Sequence, residues 1–117
     1  MTTTDSRRIR ALNDAFRAAM TASSIMLQYD QFVVTRGVIA RGIPFLTRAV
    51  AAVRAFSAFT PDNDPYEEHD FGAFELDGTR LNWKLDYYDL SCVHGSTDPA
   101  DPAKTRRVLT LLLADEY

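Results

Sequence analysis

The sequence has one cysteine, no apolar run near membrane-span length and few glycines, and each scarcity removes a class of protein. Cys92 alone cannot form an internal disulfide, which fits a reducing compartment. The longest apolar stretches fall far short of the ~20 residues a spanning helix needs. The N-terminal stretch MTTTDSRRIRALNDAF lacks an apolar secretory core, so the expectation is a soluble, cytoplasmic protein without a signal peptide. None of the five glycines belongs to a phosphate-cradling loop or to the strained turn that presents a nucleophilic serine. Cys92 and His94 are too few for a structural zinc site, which takes four ligands. The sequence points to no cofactor and no metal. At 117 residues and 46% apolar, the chain is long enough for one core, and residues 1–117 read as a single domain.

What is present is charge, unevenly placed. The net charge of −3 hides eight arginines against three aspartates in residues 1–60, then eleven acids against Arg80 and Lys84 in residues 61–103. If the two segments occupy different surfaces, the molecule is a dipole whose acidic side attracts basic partners. The plainer reading is that they pair and cancel.

Periodicity supplies the elements. Ile9, Leu12, Phe16, Ala19 and Met20 recur every three or four residues and predict an amphipathic helix over 5–20, with Arg7, Arg8, Arg10 and Arg17 mostly off its apolar stripe. SSIMLQYDQFVVTRGVIARG is rich in β-branched and aromatic residues and reads as a strand. Pro44 opens a second helix, with Phe45, Leu46, Ala49, Val50, Val53 and Phe56 on one stripe ending near Phe59. Two prolines and many acids make TPDNDPYEEHD a loop.

The next stretch, HDFGAFELDGTRLNWKLDYYD, alternates on both sides of Asp77-Gly78, the signature of a two-residue hairpin turn. That register pairs Leu76 with Thr79, Glu75 with Arg80, Phe74 with Leu81, Ala73 with Asn82 and Gly72 with Trp83. Phe74, Leu76, Leu81, Trp83, Leu85 and Tyr87 then share the core face. Asp101 with Pro102 predicts the cap and first turn of a last helix carrying Val108, Leu109, Leu111, Leu112 and Leu113. The expected fold is α+β, with three helices packed on one face of a small antiparallel sheet made of the hairpin and one strand.

Extending the hairpin outward places His69 opposite Asp86, where a carboxylate would orient an imidazole as a general base. No nucleophile accompanies it, and a hydrogen bond tying two strands explains the pair as well. Asp70, Glu75 and Lys84 resemble the set that metal-dependent nucleases place on a hairpin. Such sites need an acid two residues before the lysine, and Asn82 stands there. The reading is therefore non-enzymatic. Of Tyr66, Tyr87, Tyr88 and Tyr117, the alternation exposes Tyr88, a candidate contact aromatic. Asp62, Asp64, Glu67, Glu68, Asp86 and Asp89 are the acids that would face a basic surface and mimic nucleic-acid phosphates. With Tyr88 they form the candidate partner-binding set.

At TPDNDPYEEHDFGAFELDG, WKLDYYD and DPADPAKTRRVLTLLLADEY, the chain resembles a family of short bacterial proteins catalogued only as a domain of unknown function, most specifically over Thr60–Tyr117. The resemblance implies no activity. It implies an association with mobile-element cargo, a group that includes inhibitors of restriction and CRISPR systems. Joined to the acidic surface, it suggests a non-catalytic inhibitor of a host defence system, acting on a basic protein surface without contacting nucleic acid or membrane. The alternatives are a nucleic-acid-processing enzyme centred on His69, Asp86 and Lys84, and a housekeeping interaction module.

Overall fold

The computed structural model describes residues 4–21 and 31–117. Helix α1 (Thr4–Ala18) precedes strand β1 (Phe32–Val34), the single helical turn α2 (Arg36–Ile39) and helix α3 (Ile43–Ala55). Strands β2 (Phe71–Leu76), β3 (Thr79–Tyr88) and β4 (Arg106–Leu113) follow, and a 3-10 turn at Ala114–Glu116 ends the chain. The strands form one mixed sheet in the order β1-β4-β3-β2, with β1 parallel to β4 and the other neighbours antiparallel. Among the described residues no helix is long and apolar enough to cross a membrane.

The hairpin forms in the expected register, from Leu76 opposite Thr79 to Gly72 opposite Trp83. Asp77 and Gly78 both take positive φ, 52° and 76°, as a primed two-residue turn requires. Leu81 and Trp83 are fully buried and Leu85 nearly so. They meet Phe45, Leu46, Ala49, Val50 and Val53 of α3, with Phe16 of α1 packed against the same core. As the periodicity suggested, α1 and α3 lie on one side of the sheet. Helix α3 stops at Ala55 because Phe56 turns to extended geometry (φ −59°, ψ 130°). Phe56 and Phe59 then set their rings edge-on to Trp83 at 5.6 and 6.1 Å.

The expected last helix is a strand. In β4, Arg107, Leu109 and Leu111 alternate into the buried face, and the strand lies between β1 and β3. A strand covered on both edges and packed on its face reads as a nearly continuous apolar run, which periodicity cannot tell from a buried helix. Val108 and Thr110 are β-branched and suit a strand, but the pairing with β1 and β3 decides it. Asp101 does cap, but it caps a turn: its Oδ1 accepts the Ala103 N–H at 2.9 Å. The sheet is accordingly mixed and four-stranded, larger than a hairpin with one strand.

The long first strand is also revised. Positions 22–30 lie outside the described residues, and the remainder divides into three-residue β1 and the α2 turn. The Glu116 carboxylate organises that turn from far along the chain, accepting from Thr35 Oγ1 at 2.6 Å, Leu113 N–H at 2.8 Å and Gly37 N–H at 3.1 Å. A Cβ at Gly37 would come within 2.7 Å of Glu116 Oε2 and Leu113 Cδ1, so a larger residue there would have to displace the carboxylate or the leucine methyl.

Candidate recognition site around His69

The acidic loop between α3 and β2 is built by its own side chains. Asn63 Oδ1 accepts the Thr60 N–H at 2.8 Å, Asn63 Nδ2 donates to the Ala58 carbonyl at 2.9 Å, and Asp64 N–H donates to the Thr60 carbonyl at 2.8 Å. These are the local bonds that Asn and Asp favour in turns. Asp64, only 4% exposed, accepts the N–H groups of Glu68 and His69 on its Oδ1 at 3.0 and 3.1 Å. That clamp holds Glu67 and His69 in left-handed backbone geometry, each at φ 57°, a conformation non-glycine residues keep only where surroundings over-determine it.

His69 is fixed on three sides. Its Nδ1 bonds Asp14 Oδ1 of α1 at 2.8 Å. Its ring stacks on Phe59 at 3.7 Å and 3° between planes. Its Nε2 stands 3.7 Å from Asp64 Oδ2, too far for a hydrogen bond. Since the Asp14 carboxylate can only accept, the Nδ1–H of His69 donates to it. A cleft of about 320 Å³ opens here, lined by Arg10, Phe59, Thr60, Pro61, Asp64, Pro65, Glu67 and His69. Arg10 has no polar partner among the described residues.

Behind the loop runs a polar network that the apolar stripe of α1 did not announce. Asn13, fully buried, donates from Nδ2 to Tyr87 Oη at 2.8 Å and to the Glu68 carbonyl at 3.0 Å. Its Oδ1 accepts from Arg107 Nε at 2.7 Å, and Tyr87 Oη donates to Glu68 Oε1 at 2.9 Å. Burial pushes the Tyr87 hydroxyl well above its ordinary pKa, so it remains a donor. Arg17, placed by periodicity mostly off the apolar stripe of α1, is buried. It lies over Trp83, with its guanidinium 5.0 Å from the ring centroid, and donates to the carbonyls of Val53 and Phe56 at 2.7 and 2.9 Å, closing the C-terminus of α3. One signal in the sequence marked this region: Asn13-Asp14 is a pair of weak helix formers in mid-helix.

The proposed partner-binding residues fall into four groups. Asp62 is exposed and Glu67 is half-exposed, both on the loop surface. Asp64 and Glu68 are committed to the fold by the bonds just described. Asp86 accepts from Lys84 Nζ at 2.7 Å on the sheet face opposite Trp83, which also carries half-buried Tyr88. Asp89 caps the following loop, its Oδ1 accepting from Ser91 Oγ at 2.8 Å and Val93 N–H at 3.1 Å.

His69 does not meet Asp86. β2 begins at Phe71, and the positive φ at His69 turns the ring toward α1, so alternation cannot be extended through it. His69, Asp86 and Lys84 therefore form no common site. Tyr88 is also less exposed than alternation indicated, whereas Tyr66 is 70% exposed on the loop. Asp70 is held above the usual carboxylate range, first by burial and then by the Glu68 charge. Among the described residues no group of three or more His, Cys, Asp or Glu side chains is placed to hold a metal ion.

The molecule is thus a small α+β domain with a pre-formed acidic loop locked to its first helix. Residues 34–116 match the family model described as protein of unknown function (DUF3768), and the chain belongs to that family. The match reaches upstream of the Thr60–Tyr117 portion that carries the motifs, taking in α2 and α3. No curated protein and no solved structure matches the chain.

Proposed function

We propose that the protein is a non-catalytic interaction module whose acidic loop engages a basic protein surface. The observation that carries this is the loop's rigidity: Asn63 and Asp64 tie its backbone, while Tyr66 stands 70% exposed beside exposed Asp62 and half-exposed Glu67. A pre-formed loop loses little conformational freedom on binding, and a tyrosine at its surface offers a large, rigid contact. The partner class named by this reading is a basic, nucleic-acid-binding component of a restriction or CRISPR complex, met in the cytoplasm, with the protein acting as an inhibitor.

The test is affinity capture followed by binding measurements with the captured partner. Tyr66→Ala combined with Asp62→Lys and Glu67→Lys is expected to weaken association several-fold at low salt while leaving Tm nearly unchanged. A triple variant that binds as wild type removes the proposal. Asp64 and Glu68 are left intact because their loss would unfasten the loop itself.

The oriented Asp14–His69 pair favours a second reading, proton transfer to or from a nucleic-acid substrate. Labelled single- and double-stranded DNA and RNA, incubated with the protein and magnesium or manganese, decide it. Cleavage that disappears in His69→Ala would establish that reading.

A further inference from the structure

We infer that the outer edge of β2 is a docking site for the same edge of a second copy of this chain, joined by antiparallel strand pairing about Ala73. The Leu85 N–H donates to the Asp70 carbonyl at 2.8 Å. By the alternation of an antiparallel ladder, Gly72, Phe74 and Leu76 therefore bond to β3, while the backbone groups of Phe71, Ala73 and Glu75 point away from it. β2 ends the sheet, and among the described residues no hydrogen bond reaches those outward groups. The edge also carries none of the usual protections against pairing. FGAFEL contains no proline and no lysine, it pairs with β3 one to one without a bulge, and Ala73 and Glu75 are exposed. The opposite edge of the sheet is the three-residue β1, too short to act as a template.

Hydrogen bonding and charge select the same register. With Ala73 opposite Ala73 of the second copy, Phe71 lies opposite Glu75 in both directions, and every outward N–H and C=O of the three residues meets a partner across a two-fold axis. A shift of two residues either way leaves one outward residue facing a turn or a loop. On the outer face, the row across the junction reads Arg80 and Glu75, then Phe71 and Lys84 of the second copy. Each carboxylate thus stands between cations, and the two Glu75 positions are roughly 13 Å apart along the strands. The shift that sets Glu75 opposite Ala73 halves that spacing between like charges. On the core face, half-buried Phe74 comes opposite Gly72 of the second copy, beside which that copy's Phe56 ring lies. The pairing therefore covers an apolar rim on each molecule and joins two four-stranded sheets into one.

The test follows the intact chain by sedimentation velocity over a range of concentrations, with amide hydrogen exchange read at each. The weight-average mass should rise from 13.2 kDa toward twice that value, and the Phe71, Ala73 and Glu75 amides should slow in step with it. Ala73→Lys faces water in the single chain and sets two ammonium groups against each other at the two-fold axis. It should leave the monomer's Tm nearly unchanged and raise the dissociation constant about tenfold or more. Glu75→Gln should weaken association several-fold at low salt and less at high salt.

A monomer at every concentration, with edge amides that exchange freely, overturns the inference. So does a dimer that a folded Ala73→Lys variant leaves intact, since it would use another surface. Edge amides that slow only when a different protein is bound would assign the edge to that protein's strand and overturn the self-pairing. None of these outcomes depends on the acidic loop, so the Tyr66 triple variant tests its own proposal separately.

Discussion

Gly72 lies directly across the hairpin from Trp83, and the indole occupies the space its missing side chain leaves. A Cβ at Gly72 would stand 2.7 Å from Trp83 Cε2 and 2.8 Å from Phe56 Cζ, with Trp83 Nε1 closer still. Because Trp83 is fully buried and Phe56 and Phe59 pack on its edge, the indole has nowhere to retreat. Gly72→Ala is expected to destabilise the fold by about 1–3 kcal/mol, the usual consequence of overfilling a packed core. Urea unfolding measures it, and a midpoint equal to wild type contradicts the packing.

Asn13 connects α1 to β3, β4 and the acidic loop through one amide. Asn13→Ala leaves Arg107 Nε without its buried acceptor and should cost on the order of 3 kcal/mol. Tyr87→Phe removes one hydroxyl from the same network and should cost about 1 kcal/mol. Because the two residues are bonded, their effects should be non-additive in a double-mutant cycle. Simple additivity would mean the network does not act as a unit.

The turn and its ion pair make a contrast. Gly78 has φ 76°, so Gly78→Val should destabilise by about 1–2 kcal/mol through backbone strain alone. Arg48 reaches the neighbouring Asp77 with two hydrogen bonds of 2.7 and 3.0 Å, yet both side chains are more than half exposed. Arg48→Ala should scarcely move Tm, and that small change should fade with added salt. Thermal melts at low and high ionic strength compare the two.

Two carboxyl groups should tilt the pH profile in opposite directions. Asp70 is raised above its ordinary pKa by burial and the nearby Glu68 charge, so its ionised form costs stability at neutral pH. That cost is relieved as pH falls through its raised native value. Asp70→Asn should therefore raise Tm at neutral pH, with the gain vanishing toward acid. Glu116 is depressed by its bonds from Thr35, Leu113 and Gly37, so its contribution is present above the unfolded carboxylate range. It is lost as pH falls through its lower native value. Glu116→Gln should lower Tm at neutral pH and converge with wild type in acid.

The sequence by itself determined the local part of this protein. Asp77-Gly78 and the alternation around it specify the hairpin to the residue, because a primed turn needs positive φ at both positions and a period of two leaves a single register that buries Trp83. The stripes of α1 and α3 were likewise legible, since a helical face repeats within a short window. What tertiary structure decided is wherever the partner lies far along the chain. Arg106–Leu113 became a strand because β1 and β3 flank it, and no local period records neighbours. His69 turned to Asp14 and not Asp86 because Asp64 holds its backbone at positive φ, which ends the alternation two residues before the strand begins. Asn13, Arg17 and Arg107 are polar by type and buried by position, and only the fold supplies the carbonyls, hydroxyl and ring that make that burial tolerable.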